Sequence, residues 1–252
     1  MAISTPTNKI TAAGSISNLT QYDTAVVTLD AGKDYLLLTS SYGATSHTVS
    51  TVQHDPVGTP LSFTRISDGT TSAQKQNWDA AAHRIVEAWR VRPGAGTASA
   101  LVRIVFTGTQ SAACWTLLEI ASGVDNTTPF VKVVVNSGTA GTAASATMNA
   151  FGATDNLLLM IVALGTGTAD PAENVVATES RTEIAEIDDA ERSQHATHYQ
   201  NPNGGDTSIG ATWTNAEDWA CIGIEIKADV PAGAALFVPD MQNPLFNTVL
   251  RM

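Results

Sequence analysis

Glu119 and Glu225 are the residues through which this sequence comes nearest to catalysis. Each stands alone among aliphatic side chains, in Leu117-Leu118-Glu119-Ile120 and in Ile224-Glu225-Ile226. Two carboxylates facing one glycosidic bond are what acid–base hydrolysis of a sugar chain requires. A lone glutamate in a sandwich strand is instead expected to point to solvent from the outer face, and a fold built twice places two such residues in corresponding positions with no chemistry implied. His195 and His198 lie three apart beside Asp188, Asp189 and Glu191. On a helix that spacing would align two imidazoles as metal ligands, but on a strand it sends them to opposite faces, and strand is the expectation here. His47, His54 and His83 are scattered and show no pattern of a partnered nucleophile. Asn203-Gly204-Gly205-Asp206 and Asp68-Gly69 carry oxygens that suit Ca²⁺, yet neither approaches a twelve-residue calcium loop, and turn formation accounts for both. No Gly-x-Ser-x-Gly, His-Glu-x-x-His or phosphate-loop signature occurs. The expectation is therefore no catalytic residue, no metal and no cofactor.

Five tryptophans offer a different chemistry, stacking on sugar rings. Trp89, Trp115 and Trp219 fall inside strongly apolar runs, where core packing is expected. Trp78 and Trp213 lie near loops and are the candidates for glycan contact.

The elements that would position these residues are strands. Asp34-Tyr35-Leu36-Leu37-Leu38 and Asp155-Asn156-Leu157-Leu158-Leu159 open two halves that each close on an aliphatic strand bearing one glutamate. Such an echo over more than 100 residues marks an architecture built twice. Leu61–Ile66 and Leu101–Phe106 alternate apolar and polar, the period of half-buried strands, with Arg103 outward and Val102, Ile104 and Phe106 inward. Residues 71–82 read as a short helix or loop, and 178–200 as a polar hairpin. Short strands about ten residues apart with turn chemistry between them predict an all-β, two-sheet, jelly-roll-like β-sandwich with an internal pseudo-repeat. Residues 1–20 form an arm or edge strand. Residues 21–229 form the sandwich, in halves of about 21–125 and 126–229 whose strands interleave. Residues 230–252 form an extended C-terminal arm, because Pro231, Pro239 and Pro244 exclude a regular helix or central strand there. That arm carries Phe237, Val238, Met241, Leu245, Phe246, Val249 and Leu250, apolar groups that call for a docking partner, in cis or on a neighbouring subunit.

The chain has 252 residues, of which 43% are hydrophobic and only 15% charged, with a formal net charge of −11. A surface of that sign repels phosphate backbones and argues against nucleic acid as a partner. No run approaches the roughly 20 apolar residues of a membrane span. Met1-Ala2-Ile3-Ser4-Thr5-Pro6 lacks the basic start and apolar core of a signal peptide, so synthesis and use without export are expected. In that setting Cys114 and Cys221 are expected as two buried thiols.

The run Trp115-Thr116-Leu117-Leu118-Glu119-Ile120-Ala121-Ser122-Gly123-Val124-Asp125-Asn126-Thr127-Thr128-Pro129-Phe130 resembles a recurrent β-sandwich family of tailed-phage virion proteins and bacterial surface proteins. Members show an apolar strand, then Gly-Val-Asp-x-Thr-Thr-Pro, a Ser/Thr/Ala-rich strand and an Asn-Leu-rich strand. Ser145-Ala146-Thr147-Met148 and Asp155–Leu159 stand in those last places. The similarity covers about residues 20–228, and its specific part is the Gly-Val-Asp-Asn-Thr-Thr-Pro stretch. It implies a jelly-roll-like sandwich with a structural or adhesive role, and it brings no catalytic residues. The hairpin at 178–200 and the C-terminal arm depart from the pattern. The expectation is a non-enzymatic virion structural protein of a tailed bacteriophage, a capsid decoration or cement protein attached through its C-terminal arm, with other virion proteins (the major capsid protein or tail proteins) and copies of itself as partners. The alternatives are a tail- or baseplate-associated protein or a carbohydrate-binding (adhesin) module.

Overall fold

A computed structural model describes residues 2–79, 82–148, 153, 155–165, 174–178, 181–189, 193–200 and 208–229; for 78–79, 82, 188–189, 193–200 and 208 it describes the backbone alone. Every regular element among the described residues is a strand: β1 (Thr7–Ser15), β2 (Leu19–Val27), β3 (Asp34–Gly43), β4 (Val49–His54), β5 (Leu61–Ser62), β6 (Thr64–Arg65), β7 (Gln74–Asp79), β8 (Ala82–Val91), β9 (Ala100–Gln110), β10 (Ala112–Ile120), β11 (Phe130–Thr147), β12 (Leu157–Leu164), β13 (Val176–Ala177), β14 (Thr182–Asp189), β15 (Ser193–Gln200) and β16 (Ser208–Ile226).

The all-β sandwich holds, but the strands do not interleave between halves. Among the described residues three sheets form, ordered β1-β10-β3-β8-β6 with β7 beside β8, β2-β9-β4-β5, and β11-β16-β12-β15-β14 with β13 beside β16. The first two use only residues up to Ile120, and the third uses only residues after it. With the short β6 and the β7 hairpin strand set aside, the first half runs first-eighth-third-sixth in one sheet and second-seventh-fourth-fifth in the other. That is the strand order of a complete jelly roll. Residues 1–20 therefore supply an edge strand, β1, and residues 74–79 pair with β8 as a strand where a helix or loop was expected.

The second half follows the same order in part with fewer, longer strands, except that β14 lies beside β15 and not beside β13. Phe130–Gly138 of β11 pairs with Trp219–Ile226 of β16, and Ala143–Thr147 pairs with Ser208–Thr212. Register shifts at Gly138, Gly141 and Ala143 bend the ribbon between these two stretches. Ala140 takes a left-handed φ of 47° at the bend, and its N–H donates to Asp218 Oδ1 at 2.9 Å. A Cβ on Gly138 would lie 2.7 Å from the Trp219 indole, so only glycine lets that ring close over the corner. The folded-over ends lay Ala144, Ala146, Ile209, Ala211 and Trp213 on Leu158, Met160, Val162 and Cys221.

Three cores result. Tyr35, Leu37, Trp115 and Leu117 meet Val52, Val102, Ile104 and Phe106 inside the first roll. Leu36, Leu38, Val86, Leu118 and Ile120 meet Leu157, Leu159, Ile161, Ile222, Ile224 and Ile226 between the rolls. The folded β11–β16 ribbon closes the third. Each leucine triplet thus feeds two cores at once, which explains why it is apolar at consecutive positions instead of alternate ones. Cys114 and Cys221 are both buried and form no disulfide; Cys221 packs in the outer core of the second roll.

The Gly-Val-Asp-Asn-Thr-Thr-Pro stretch links the rolls. Gly123 has φ +86° and packs under Ala2 and Ile3. Val124 bridges Ala228. Asp125 accepts from the N–H groups of Thr127 and Thr128, both at 2.8 Å, and pairs with Lys227 at 2.9 Å. The N–H of Thr128 and Lys227 bring the Asp125 carboxyl down to about 2. The motif clips the start of the second roll to its last strand.

Candidate functional site

Glu119 and Glu225 do not face solvent, contrary to the sequence expectation. Glu119 lies beside Tyr35 in register and accepts from its hydroxyl at 2.9 Å, while Lys9 and Lys33 each reach it at 2.8 Å. Burial alone would raise this carboxyl, but the hydrogen bonds from Lys33, Lys9 and Tyr35 outweigh it and bring it to about 2. Glu225 is 3% exposed and accepts from Asn156 Nδ2 at 2.6 Å. Their neighbours Leu118, Ile120, Ile224 and Ile226 all point into the core between the rolls. Alternation therefore sends the two glutamates outward on opposite sides, with two sheets between them. They cannot share a substrate.

Trp213 is a second correction. It is 7% exposed, packs in the outer core of the second roll and donates its Nε1–H to the Gly141 carbonyl at 2.9 Å. The bend in the β11–β16 ribbon, which no local pattern announces, is what covers it. The side chain of Trp78 lies outside the described residues, as do those of His195 and His198, whose backbone is strand as expected. The turn Asn203–Asp206 and the arm residues Phe237, Val238, Met241, Leu245, Phe246, Val249 and Leu250 also lie outside them. Trp89, Trp115 and Trp219 are core residues as expected. The Asp68 carboxylate accepts from Thr70, Thr71 and Val133 N–H groups at 2.7–2.9 Å. Although burial raises it, those bonds hold it below the usual carboxylate range. Asp68 thus ties a turn of the first roll to β11 of the second.

A serine–imidazole pair went unread in the sequence. Ser41 Oγ lies 2.9 Å from His47 Nε2, and His47 Nδ1 lies 2.9 Å from the Thr45 carbonyl. The carbonyl assigns the ring proton to Nδ1, leaving Nε2 to accept from the serine. Both residues are 2% exposed, and burial pushes the imidazole below its ordinary value. No substrate reaches Ser41 without parting the strands, so the pair is structural.

A groove of about 630 Å³ opens to solvent, lined by Leu61, Ser62, Thr64, Arg65, Ser67, Gly69, Arg90, Val91, Arg92 and Phe130. Strand pairing builds it: β6 pairs with the end of β8, setting Thr64 opposite Arg90 and Arg65 opposite Trp89. Each arginine is held from behind by a buried carboxylate. Asp34 Oδ1 lies 2.5 Å from Arg90 Nη2, and its Oδ2 takes Arg92 Nη1 at 2.9 Å. Burial raises the Asp34 carboxyl even so, against the pull of Arg90 and Arg92. Glu87 Oε1 takes Arg65 at 2.8 Å, and Oε2 accepts from Val49 N–H at 2.7 Å. Burial pushes Glu87 up to about 7 despite both partners. The Arg65 guanidinium stacks 4.7 Å over Trp89, and that of Arg90 lies 5.6 Å from the Phe130 ring centre. The Arg90-x-Arg92 alternation at the end of a strand was the available signal for this site. Arg65 and Phe130 join it only through tertiary pairing.

Among the described residues no group of three or more His, Cys, Asp or Glu is arranged to hold a metal, and no helix is long and apolar enough to cross a membrane. No family model matches the chain, and neither a curated protein nor a solved structure matches it.

Proposed function

We propose that this chain is a structural protein of a tailed-phage virion, a capsid decoration protein that attaches to the shell through residues 230–252; a position on the tail or baseplate fits the same features. The observation that carries this reading is the role of the Gly-Val-Asp-Asn-Thr-Thr-Pro stretch. The residues on which the family resemblance rests are the clip between two stacked jelly rolls. Support also comes from how the buried carboxylates are used. Glu119, Asp34 and Glu87 are each bound to cations of their own roll, which is scaffold work. A low charged fraction of 15% suits a surface partly covered by neighbours. Each Leu, Phe, Met or Val of the arm that docks contributes about 1.5–3 kcal/mol, and repetition over a lattice multiplies modest contacts.

Deleting residues 230–252 is expected to leave a folded sandwich that no longer incorporates into particles, read as its occupancy in purified virions. Wild-type occupancy of the truncated protein would refute attachment by the arm, and unfolding would place the arm in the core. A second reading, a glycan-binding module, is favoured by the arginine groove.

A further inference from the structure

The geometry points to the arginine groove as a binding site for a carboxylate-bearing sugar, such as a uronic acid unit of an acidic glycan. The inference rests on the glycan-binding reading and names its ligand class.

Three of the 13 basic residues of a chain with net charge −11 line this one groove. Neutralising buried Asp34 takes one guanidinium, but two are bound to it, so the Arg90–Arg92 pair carries a positive charge beyond what Asp34 requires. Arg92 binds Asp34 through Nη1, and its side chain retains 27% exposure on the groove wall. Backing carboxylates and stacking on Trp89 and Phe130 hold the guanidinium groups in place before any ligand arrives, which lowers the ordering cost of binding. A planar carboxylate matches the fork of an arginine. Leu61 and Phe130 contribute apolar wall to the groove, and Ser62, Thr64 and Ser67 offer hydroxyls to the polar edge of a pyranose. The volume of about 630 Å³ suits a few sugar units. The strongly negative chain disfavours dense polyanions such as nucleic acid, whereas the sparse charge of an acidic glycan meets the groove's local positive field.

The test is isothermal titration of the full-length protein with trigalacturonic acid, with maltotriose as a neutral match and inorganic sulfate as a plain anion. Trigalacturonic acid is expected to bind at submillimolar concentration, more weakly as salt rises, with maltotriose at least tenfold weaker. Arg92→Gln is expected to weaken the acidic sugar at least tenfold while Asp34 stays paired with Arg90 and the protein stays folded, with a lowered thermal transition. Ser62→Trp, which fills the groove without touching an ion pair, is expected to abolish binding and decides the matter if the arginine variant fails to fold. Equal affinity for maltotriose, unchanged binding by either folded variant, or no binding at 10 mM would overturn the proposal. Displacement by equimolar sulfate would overturn the sugar class. Particle occupancy measures the assembly reading separately, so either can fail alone.

Discussion

Glu119 shows how far a side chain's setting can depart from its strand pattern. A glutamate among aliphatics reads as outward-facing, and Glu119 does point away from the core between the rolls. What lies outward is not water but Tyr35, Lys9 and Lys33. These cations come from positions 86 and 110 residues earlier, too far for any window to foresee. Because the folded carboxyl titrates near 2 and the free one near 4.5, its stabilisation is fully present above about pH 4.5 and is lost as pH falls towards 2. Glu119→Gln is expected to cost about 1.5–3 kcal/mol at neutral pH, the range for hydrogen bonds to a charged group. It should also flatten the loss of stability between pH 5 and pH 2, with urea-denaturation midpoints across that range as the check. An unaltered slope would show that other carboxylates, Asp125 among them, govern the acid transition.

At the scale of elements, glycines decide where strands turn and where rolls join. Gly123 is doubly constrained, by a φ of +86° and by the backbone of Ala2 and Ile3 pressed against the place a Cβ would occupy. Gly123→Ala is expected to destabilise by about 1–3 kcal/mol through strain at a left-handed residue. It should also loosen the N-terminal segment first, seen as faster hydrogen exchange at Ser4, whose N–H donates to the Ser122 carbonyl at 3.0 Å. Unchanged exchange there would mean that the segment is held elsewhere. Most strands were legible in the sequence, including the polar hairpin now seen as β14 and β15, since each combines β-propensity with turn chemistry at its ends. The stretch 71–82 was not. Its polar residues lie on β7, a strand beside β8, and Asn77 Nδ2 donates to the Gly138 carbonyl of the second roll at 2.6 Å. The unbroken run of β16 is not written locally either, because its bend carries Asn215, Glu217 and Asp218, residues that locally read as a turn.

At the scale of the whole molecule, two jelly rolls share one apolar face. Leu36, Leu38, Val86, Leu118 and Ile120 cover the outer side of the first roll only because the second roll lies on them. Each large side chain left bare there forgoes about 1.5–3 kcal/mol. Residues 2–122 expressed alone are therefore expected to self-associate, read as a concentration-dependent elution volume in size-exclusion chromatography. A stable monomer at all concentrations would show that the first roll can cover this face by itself. Arg84 and Asp218, 3.6 Å apart, add a buried polar contact across the same junction, which fixes how the rolls are oriented.

The amino-acid sequence by itself determined that the chain is all-β and built twice. Central strands covered on both sides must be apolar at consecutive positions, and that demand is written locally in Leu36-Leu37-Leu38 and Leu157-Leu158-Leu159. Only the tertiary structure decided that each half pairs its strands within itself, that Trp213 and the two strand glutamates are covered, and that Arg65, Arg90, Arg92 and Phe130 meet in one groove. Burial and charge compensation depend on partners far apart along the chain, and sheet pairing alone brings those partners together.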